Sequence, residues 1–282
     1  MGDAPLTMAS WALGARLRTY RTNNDLTTEF VAKRLGVRQP TVSRIEKGKH
    51  RLTTRQLASL CELYGLSGEV ATKLEEARSV AGRPDWRQDY QQLLDGPFGD
   101  VLGLETGASR IRALDGQLVF GLLQTEEYAT ALMREAPYIR ATEVKRRVAL
   151  RMQRQSGVHN GDQEFVGVLG EAALRQHVGG REVMRRQLDQ LREMAERDNV
   201  LLRLLPYEAG AHAAFGSAFT VLDFRSDDIT LPTVVCVDTL TSALIYEGER
   251  VETYTSSFDM MMPKSLDEQE TVERLERIRD DW

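Results

Sequence analysis

Cysteine and histidine are scarce in this chain of 282 residues, and each scarcity removes a class of chemistry. Cys61 and Cys236 stand alone, with no CxxC and no ligand-spaced histidine beside either. Each therefore reads as a small core residue rather than a metal ligand or disulfide partner. His50, His159, His177 and His212 are scattered, and no two of them stand at metal-ligand helical spacing. Also missing are a Walker loop, HExxH, GxSxG and GxGxxG. Glu171 with His177 in "GEAALRQHVGG", and Glu208 with His212 in "LPYEAGAH", resemble acid–base pairs. Neither has a third group to orient it, so both read as solvated side chains. The expectation is a protein that is not an enzyme and needs no metal or cofactor.

Long apolar runs are absent as well. The longest stretch without Asp, Glu, Lys or Arg, Ala209 to Leu222, is too short to span a bilayer and contains Gly210, His212, Gly216 and Ser217. The opening "MGDAPLTMASWALGAR" lacks the basic segment and apolar core of a secretory signal. Leu6 stands where myristoylation requires Ser or Thr. These features lead us to expect a cytoplasmic protein with no membrane partner.

Charge is plentiful and unevenly placed. The formal net charge is −5, yet from Leu13 to Arg55 eleven Lys or Arg oppose only Asp25, Glu29 and Glu46. Acidic residues dominate everything after that. A compact basic segment on an acidic body is the layout of a nucleic-acid-binding head, although a merely solvated basic face fits the charge equally well. The order of the residues decides between them.

Periodicity predicts five helices in the first eighty residues. Their apolar marks are Leu13, Leu17 and Tyr20; Val31, Ala32 and Leu35; Val42 and Ile45; Leu57, Leu60, Cys61 and Tyr64; and Val70, Leu74 and Ala77. Thr27 or Thr28 is placed to cap the second, with Glu29 in its first turn, and Thr53 or Thr54 to cap the fourth. Gly36 makes a tight turn between the second helix and a third that carries the basic residues and ends near Gly48. That is helix-turn-helix geometry, in which the second helix of the pair enters the major groove of double-stranded DNA.

The stretch "LTTEFVAKRLGVRQPTVSRIEKGK" resembles, nearly position by position, the Cro/phage-repressor class of helix-turn-helix domains, the XRE-type regulators, over residues 11–82. The resemblance implies base-facing positions at Gln39, Pro40, Thr41, Ser43 and Arg44. It implies phosphate-facing positions at Thr28, Arg38, Lys47, Lys49 and Arg51. Arg44 suits a guanine edge and Gln39 an adenine edge, whereas the lysines supply salt-sensitive affinity blind to sequence. The resemblance further implies a structural pair of Arg21 with Glu46. Two residues depart from the class: Arg38 replaces the usual Ser or Thr before the recognition helix, and Pro40 replaces a small polar residue. Pro40 pushes Gln39 away from helical dihedrals, so Gln39 either reads a base or caps the helix.

After a linker at "AGRPDW" the pattern is mixed. Helical patterns occur at residues 86–94, 126–134, 142–156, 181–198, 250–262 and 267–279. Strand-like runs "EFVGVL", "VLLRLLPY", "AFTVLDF", "TVVCVDT" and "ALIYE" crowd between Glu164 and Glu247, the last four joined by short turns. The expected fold is α+β: an N-terminal helix-turn-helix bundle, then a domain at 86–282 with a mixed or antiparallel sheet flanked by helices. Met260, Met261 and Met262 read as core filler at a helix end or part of an oligomer interface.

The strings "ETGASRIRALDGQLVFGLLQTEEYATALMRE", "RRVALRMQRQ", "LGEAALRQHVGGREVMRRQLDQLREMA" and "VLLRLLPYEAGAHAAFGSAFTVLDF" look like one C-terminal domain. It accompanies XRE-type heads in many actinobacterial regulators and is often called antitoxin-like. That resemblance implies regulation of transcription, with a small acidic protein encoded nearby as partner. By itself "GLLQTEEYA" reads as an apolar entry to a helix capped by Thr125. The expected function is that of a dimeric, autoregulating, nucleoid-associated DNA-binding regulator on an inverted-repeat operator. The alternative is an antitoxin-like protein that chiefly sequesters its partner.

Overall fold

The structure, a computed structural model, describes residues 6–82, 86–94, 96–212, 216, 218–226, 230–239 and 242–282. Two compact units emerge: the chain up to Gly107 with Arg225–Leu231, and Ala108–Phe224 with Pro232–Trp282. This division falls later than the boundary expected around residues 82–86. The expected linker lies partly outside the described residues, at positions 83–85.

The first unit holds α1 (Met8–Asn23), α2 (Thr28–Leu35), α3 (Gln39–Glu46), α4 (Thr54–Leu63) and α5 (Gly68–Ala81). A 3₁₀ segment, Trp86–Leu93, and α6 (Pro97–Glu105) complete its helices. Thr7 and Ser10 form a capping box on α1, Thr53 and Gln56 another on α4, and Thr27 caps α2 through the Phe30 amide. The predicted apolar stripes converge in one core containing Leu13, Leu17, Val31, Val42, Ile45, Leu57, Leu60 and Leu74. Val70 is the exception: it is exposed, and α5 packs through Leu74 instead. Helix α6 packs closely on the start of this unit. Gly103 of α6 lies where a Cβ would strike the Leu6 carbonyl, and that carbonyl accepts a 2.8 Å hydrogen bond from Arg87 Nη1.

The second unit is built on a mixed sheet of β1 (Arg110–Asp115), β2 (Glu164–Gly170), β3 (Val200–Leu205), β4 (Phe219–Asp223), β5 (Val234–Asp238) and β6 (Ala243–Tyr246). Their order is β3-β2-β1-β4-β5-β6; β1, β2 and β3 run parallel, and β4, β5 and β6 add antiparallel. The expected strands all form, but β1 lies well before Glu164, outside the predicted cluster. Its sequence, "RIRALD", interrupts the apolar run with Arg110 and Arg112, and Arg112 is paid for by a fork of bonds to Asp223 on β4, at 3.1 and 3.2 Å. The chain from β3 to β4 crosses two strands rather than turning as a hairpin, because β3 occupies the far edge.

Helices α7 (Glu126–Glu135), α8 (Val144–Arg154) and α9 (Ser156–His159) lie between β1 and β2 in the chain. Then α10 (Ala172–Arg175) and α11 (Arg181–Ala195) precede β3, and α12 (Glu249–Met261) and α13 (Glu268–Asp281) close the chain. Such α-crossovers between parallel strands cover the sheet, which is why β2 is buried along nearly its whole length. Of the methionine trio, Met261 is fully buried and Met260 is exposed. The outer edge of β3 is closed by α13, where Thr271 Oγ1 accepts from the Leu204 amide at 3.1 Å.

"GLLQTEEYA" proves to be more than a helix start. Thr125 caps α7 as expected, but the preceding 3₁₀ turn, Gly121–Leu123, is held by three buried glutamines. Gln187 Nε2 donates to the Leu123 carbonyl at 2.9 Å, and Gln187 Oε1 accepts from the Thr125 amide at 2.8 Å. Gln155 Nε2 reaches the Gly121 and Gln124 carbonyls, and Gln124 Nε2 the Val119 carbonyl. These side chains satisfy backbone groups that a 3₁₀ turn leaves unpaired inside the protein.

Glu171 is not the solvated residue expected. It is buried at 3% exposure between Arg175 and Arg274, each 2.8 Å from a carboxylate oxygen, while His177 packs edge-on against Trp282. Glu208 is exposed, 3.6 Å from Arg274.

Gln187→Leu would orphan the Leu123 carbonyl and the Thr125 amide. Each unsatisfied buried group costs about 1–3 kcal/mol, so urea unfolding should show a loss of at least about 2 kcal/mol. A loss below about 0.5 kcal/mol would mean that the turn does not depend on this amide.

Candidate nucleic-acid interface

The chain leaves α2 through Gly36 in the left-handed region (φ +65°), where the Val37 amide returns to the Ala32 carbonyl at 3.0 Å. Val37 packs on the core and aims the chain into α3. There Arg38 occupies the N-cap position with no side-chain cap bond, and Pro40 sits in the first turn, where its missing N–H costs nothing. Gln39 does not cap. It is the first residue of α3, and its Nε2 donates to Thr28 Oγ1 at the start of α2, 3.0 Å away. Two residues assigned to different parts of DNA are thus joined on one continuous surface.

Val42 and Ile45 bury the inner face of α3. The outer face presents Gln39 and Pro40 exposed, with Thr41, Ser43 and Arg44 half-buried beside them. Arg38, Lys47 and Arg51 are exposed around this face. Burial first, and the Arg44 cation second, hold the His50 pKa below its ordinary value.

What fixes α3 is backbone contact with α1. A Cβ on Gly14 would stand 2.6 Å from the Ile45 and Glu46 carbonyl oxygens. A Cβ on Gly48, itself at φ +70°, would stand 2.6 Å from the Trp11 nitrogen. No larger residue fits either position without moving a helix. Beside this crossing Arg21 grips Glu46 with Nε–Oε1 at 2.6 Å and Nη2–Oε2 at 3.1 Å, and its Nη1 donates to the Leu26 carbonyl at 2.7 Å. The side chains are only 13% and 8% exposed. The hydrogen bond to Glu46 raises the Arg21 pKa against the opposing effect of burial. Tyr64 nearby is pushed up by burial and then by the Glu46 charge.

A helix-turn-helix domain model matches residues 12–87, the segment just described. A second model, a domain of unknown function (DUF5753), matches residues 98–277. The chain belongs to the DUF5753 family. Among solved structures, this DUF5753 chain is similar to the clp gene regulator ClgR from Corynebacterium glutamicum. One likeness has 30% identity over 32% of this chain and 95% of that one, with a TM-score of 0.23. Another has 24% identity over 28% of this chain and 97% of that one, with a TM-score of 0.22. No curated protein matches.

One member of the predicted phosphate set is already engaged. Lys49 Nζ lies 2.6 Å from Asp100 Oδ2 of α6, so the structure does not leave this ammonium free. Asp100, Trp11 and Gly14 all escaped the sequence reading. The first is distant in sequence, and the other two sit on a helix whose outward signal was only its apolar stripe. Among the described residues no group of three His, Cys, Asp or Glu side chains is placed to hold a metal, and no helix is long and apolar enough to cross a membrane.

Arg21→Met would strand the Glu46 carboxylate against the core. Breaking a buried pair from one side costs about 3–5 kcal/mol, so thermal unfolding of the DUF5753 protein should show early melting of the helix-turn-helix domain. Its DNA binding should fall equally on all sequences. A variant with native stability but altered base preference would overturn the structural role.

Proposed function

We propose that this protein is an XRE-type transcriptional regulator that binds an inverted-repeat operator as a dimer and controls its own promoter. The helix-turn-helix domain already makes it a DNA-binding transcriptional regulator at the coarser level. The observation that carries the finer reading is the single surface formed by Thr28, Gln39, Pro40 and Arg44, ringed by Arg38, Lys47 and Arg51. An α-helix presenting such a face fits the major groove, with Arg44 and Gln39 offering bidentate donors to base edges and the ring meeting phosphates. Thr41 and Ser43 border the base edges, and Pro40 suits a thymine methyl.

Dimerisation follows from economy of contact. One such head reaches only a few base pairs, and heads of this type act on half-sites about 34 Å apart. In this reading the DUF5753 domain supplies the dimer contact and receives a small acidic partner protein, and the chain has no catalytic centre. The ion pairs that occupy Glu171 support the last point by removing one acid–base candidate. An antitoxin-like role remains compatible with this arrangement and would show as a partner that co-purifies after residues 1–82 are removed.

Fluorescence anisotropy on promoter DNA and on a scrambled duplex, across a salt series, tests the reading. The wild type should prefer the promoter, with affinity falling steeply as salt rises. Lys47→Ala should weaken both duplexes alike and flatten the salt slope by about 1, whereas Arg44→Ala should cost roughly 1–3 kcal/mol and relax preference at one base position. Equal binding of wild type and Arg44→Ala to every sequence would remove base reading from this helix.

A further inference from the structure

We propose that Asp100 is a built-in competitor of the DNA backbone for Lys49, a carboxylate occupying a phosphate position and restraining the affinity of the head. The inference rests on the DNA-binding reading above. Lys49 follows α3 by three residues, and its amide is tied to the Arg44 carbonyl at 2.8 Å, so its place relative to the recognition helix is fixed. Its ammonium nevertheless points to Asp100 Oδ2 at 2.6 Å, with the two side chains 32% and 17% exposed.

The carboxylate is held there by construction. Asp100 lies in the first turn of the nine-residue α6, where the helix dipole favours an anion. That helix is anchored to the start of α1 by the Gly103 approach to Leu6, reinforced by Arg87. The same start of α1 carries Trp11, against which Gly48 packs. Asp100, Gly48 and Lys49 therefore belong to one corner of the first unit.

A carboxylate and a phosphate present the same kind of anionic oxygen to an ammonium, so each displaces the other. While Asp100 holds Lys49, the head lacks one of its phosphate contacts and carries a negative charge beside the DNA path. Withdrawing Asp100 returns that contact. Helix α6 contains the start of the DUF5753 match, so a ligand or partner of that domain that shifts α6 would raise affinity for every sequence alike.

The test is anisotropy on promoter and scrambled duplexes across a salt series, with wild type, Asp100→Asn, Lys49→Ala with Asp100→Asn, and Lys47→Ala. Asp100→Asn should bind both duplexes several-fold more tightly. Its plot of log K against log salt should steepen by about 0.9, the value for one added phosphate contact. Adding Lys49→Ala should reduce the gain to less than about twofold and return the slope, since one contact carries the whole effect. Circular dichroism melts confirm that each variant is folded, and Asp100→Ser serves as a second variant suited to a helix first turn. Unchanged or weaker binding by both Asp100 variants, while Lys47→Ala still flattens the slope, overturns the competitor and leaves the DNA-binding reading intact. A gain that persists without Lys49 also overturns it, since only general repulsion was relieved. Loss of all salt-dependent binding, wild type included, overturns both.

Discussion

The crossing of α1 over the end of α3 is the constraint on which the DNA-facing surface depends. Gly14 and Gly48 let two backbones meet at distances that no side chain permits, and Arg21 locks the crossing by holding Glu46 from the opposite helix. Because Glu46 is the last residue of α3, a change of tilt in α1 would be transmitted directly to the recognition helix. Rigid placement matters here, since bidentate readout of a base edge tolerates little misalignment. The basic side chains give the surface its charge; the glycines give it its position.

The DUF5753 domain solves a different problem by a similar route. Its parallel strands need helical crossovers, and the first crossover enters through a 3₁₀ turn that closes with the Leu123 amide on the Phe120 carbonyl at 2.8 Å and leaves the Gly121 and Leu123 carbonyls to side-chain partners. Buried glutamines from α11 and from the end of α8 take the place of water around that turn. Glu171 is likewise kept ionised-group company by two arginines, one of them from α13 near the chain's end. These buried polar groups hold elements of the domain together, while the compact basic segment from Leu13 to Arg55 lies in the head.

Much of the head was legible because its signals are local. Apolar residues at helical spacing, Thr27 and Thr53 as caps, Gly36 in the turn and Pro40 in a first turn all act within one turn of the chain, and the structure places them accordingly. The doubt over Gln39 could not be resolved from sequence, since its partner Thr28 lies eleven residues away across the turn. The strand β1 was missed because its arginines disguise it. Arg112 is acceptable in a central strand only when Asp223 stands on the neighbouring strand, and that neighbour is known only once the sheet is assembled.

The sequence by itself determined the helix-turn-helix head, the α+β character of the remainder and the concentration of positive charge, all of which follow from short-range periodicity and composition. Only the tertiary structure decided that the first unit extends through α6, that Glu171 is a buried ionic anchor and that Lys49 meets Asp100 before it meets DNA. The physical reason is common to all three. Each is a pairing of groups distant in the chain, and such a pairing exists only after packing has brought them within reach.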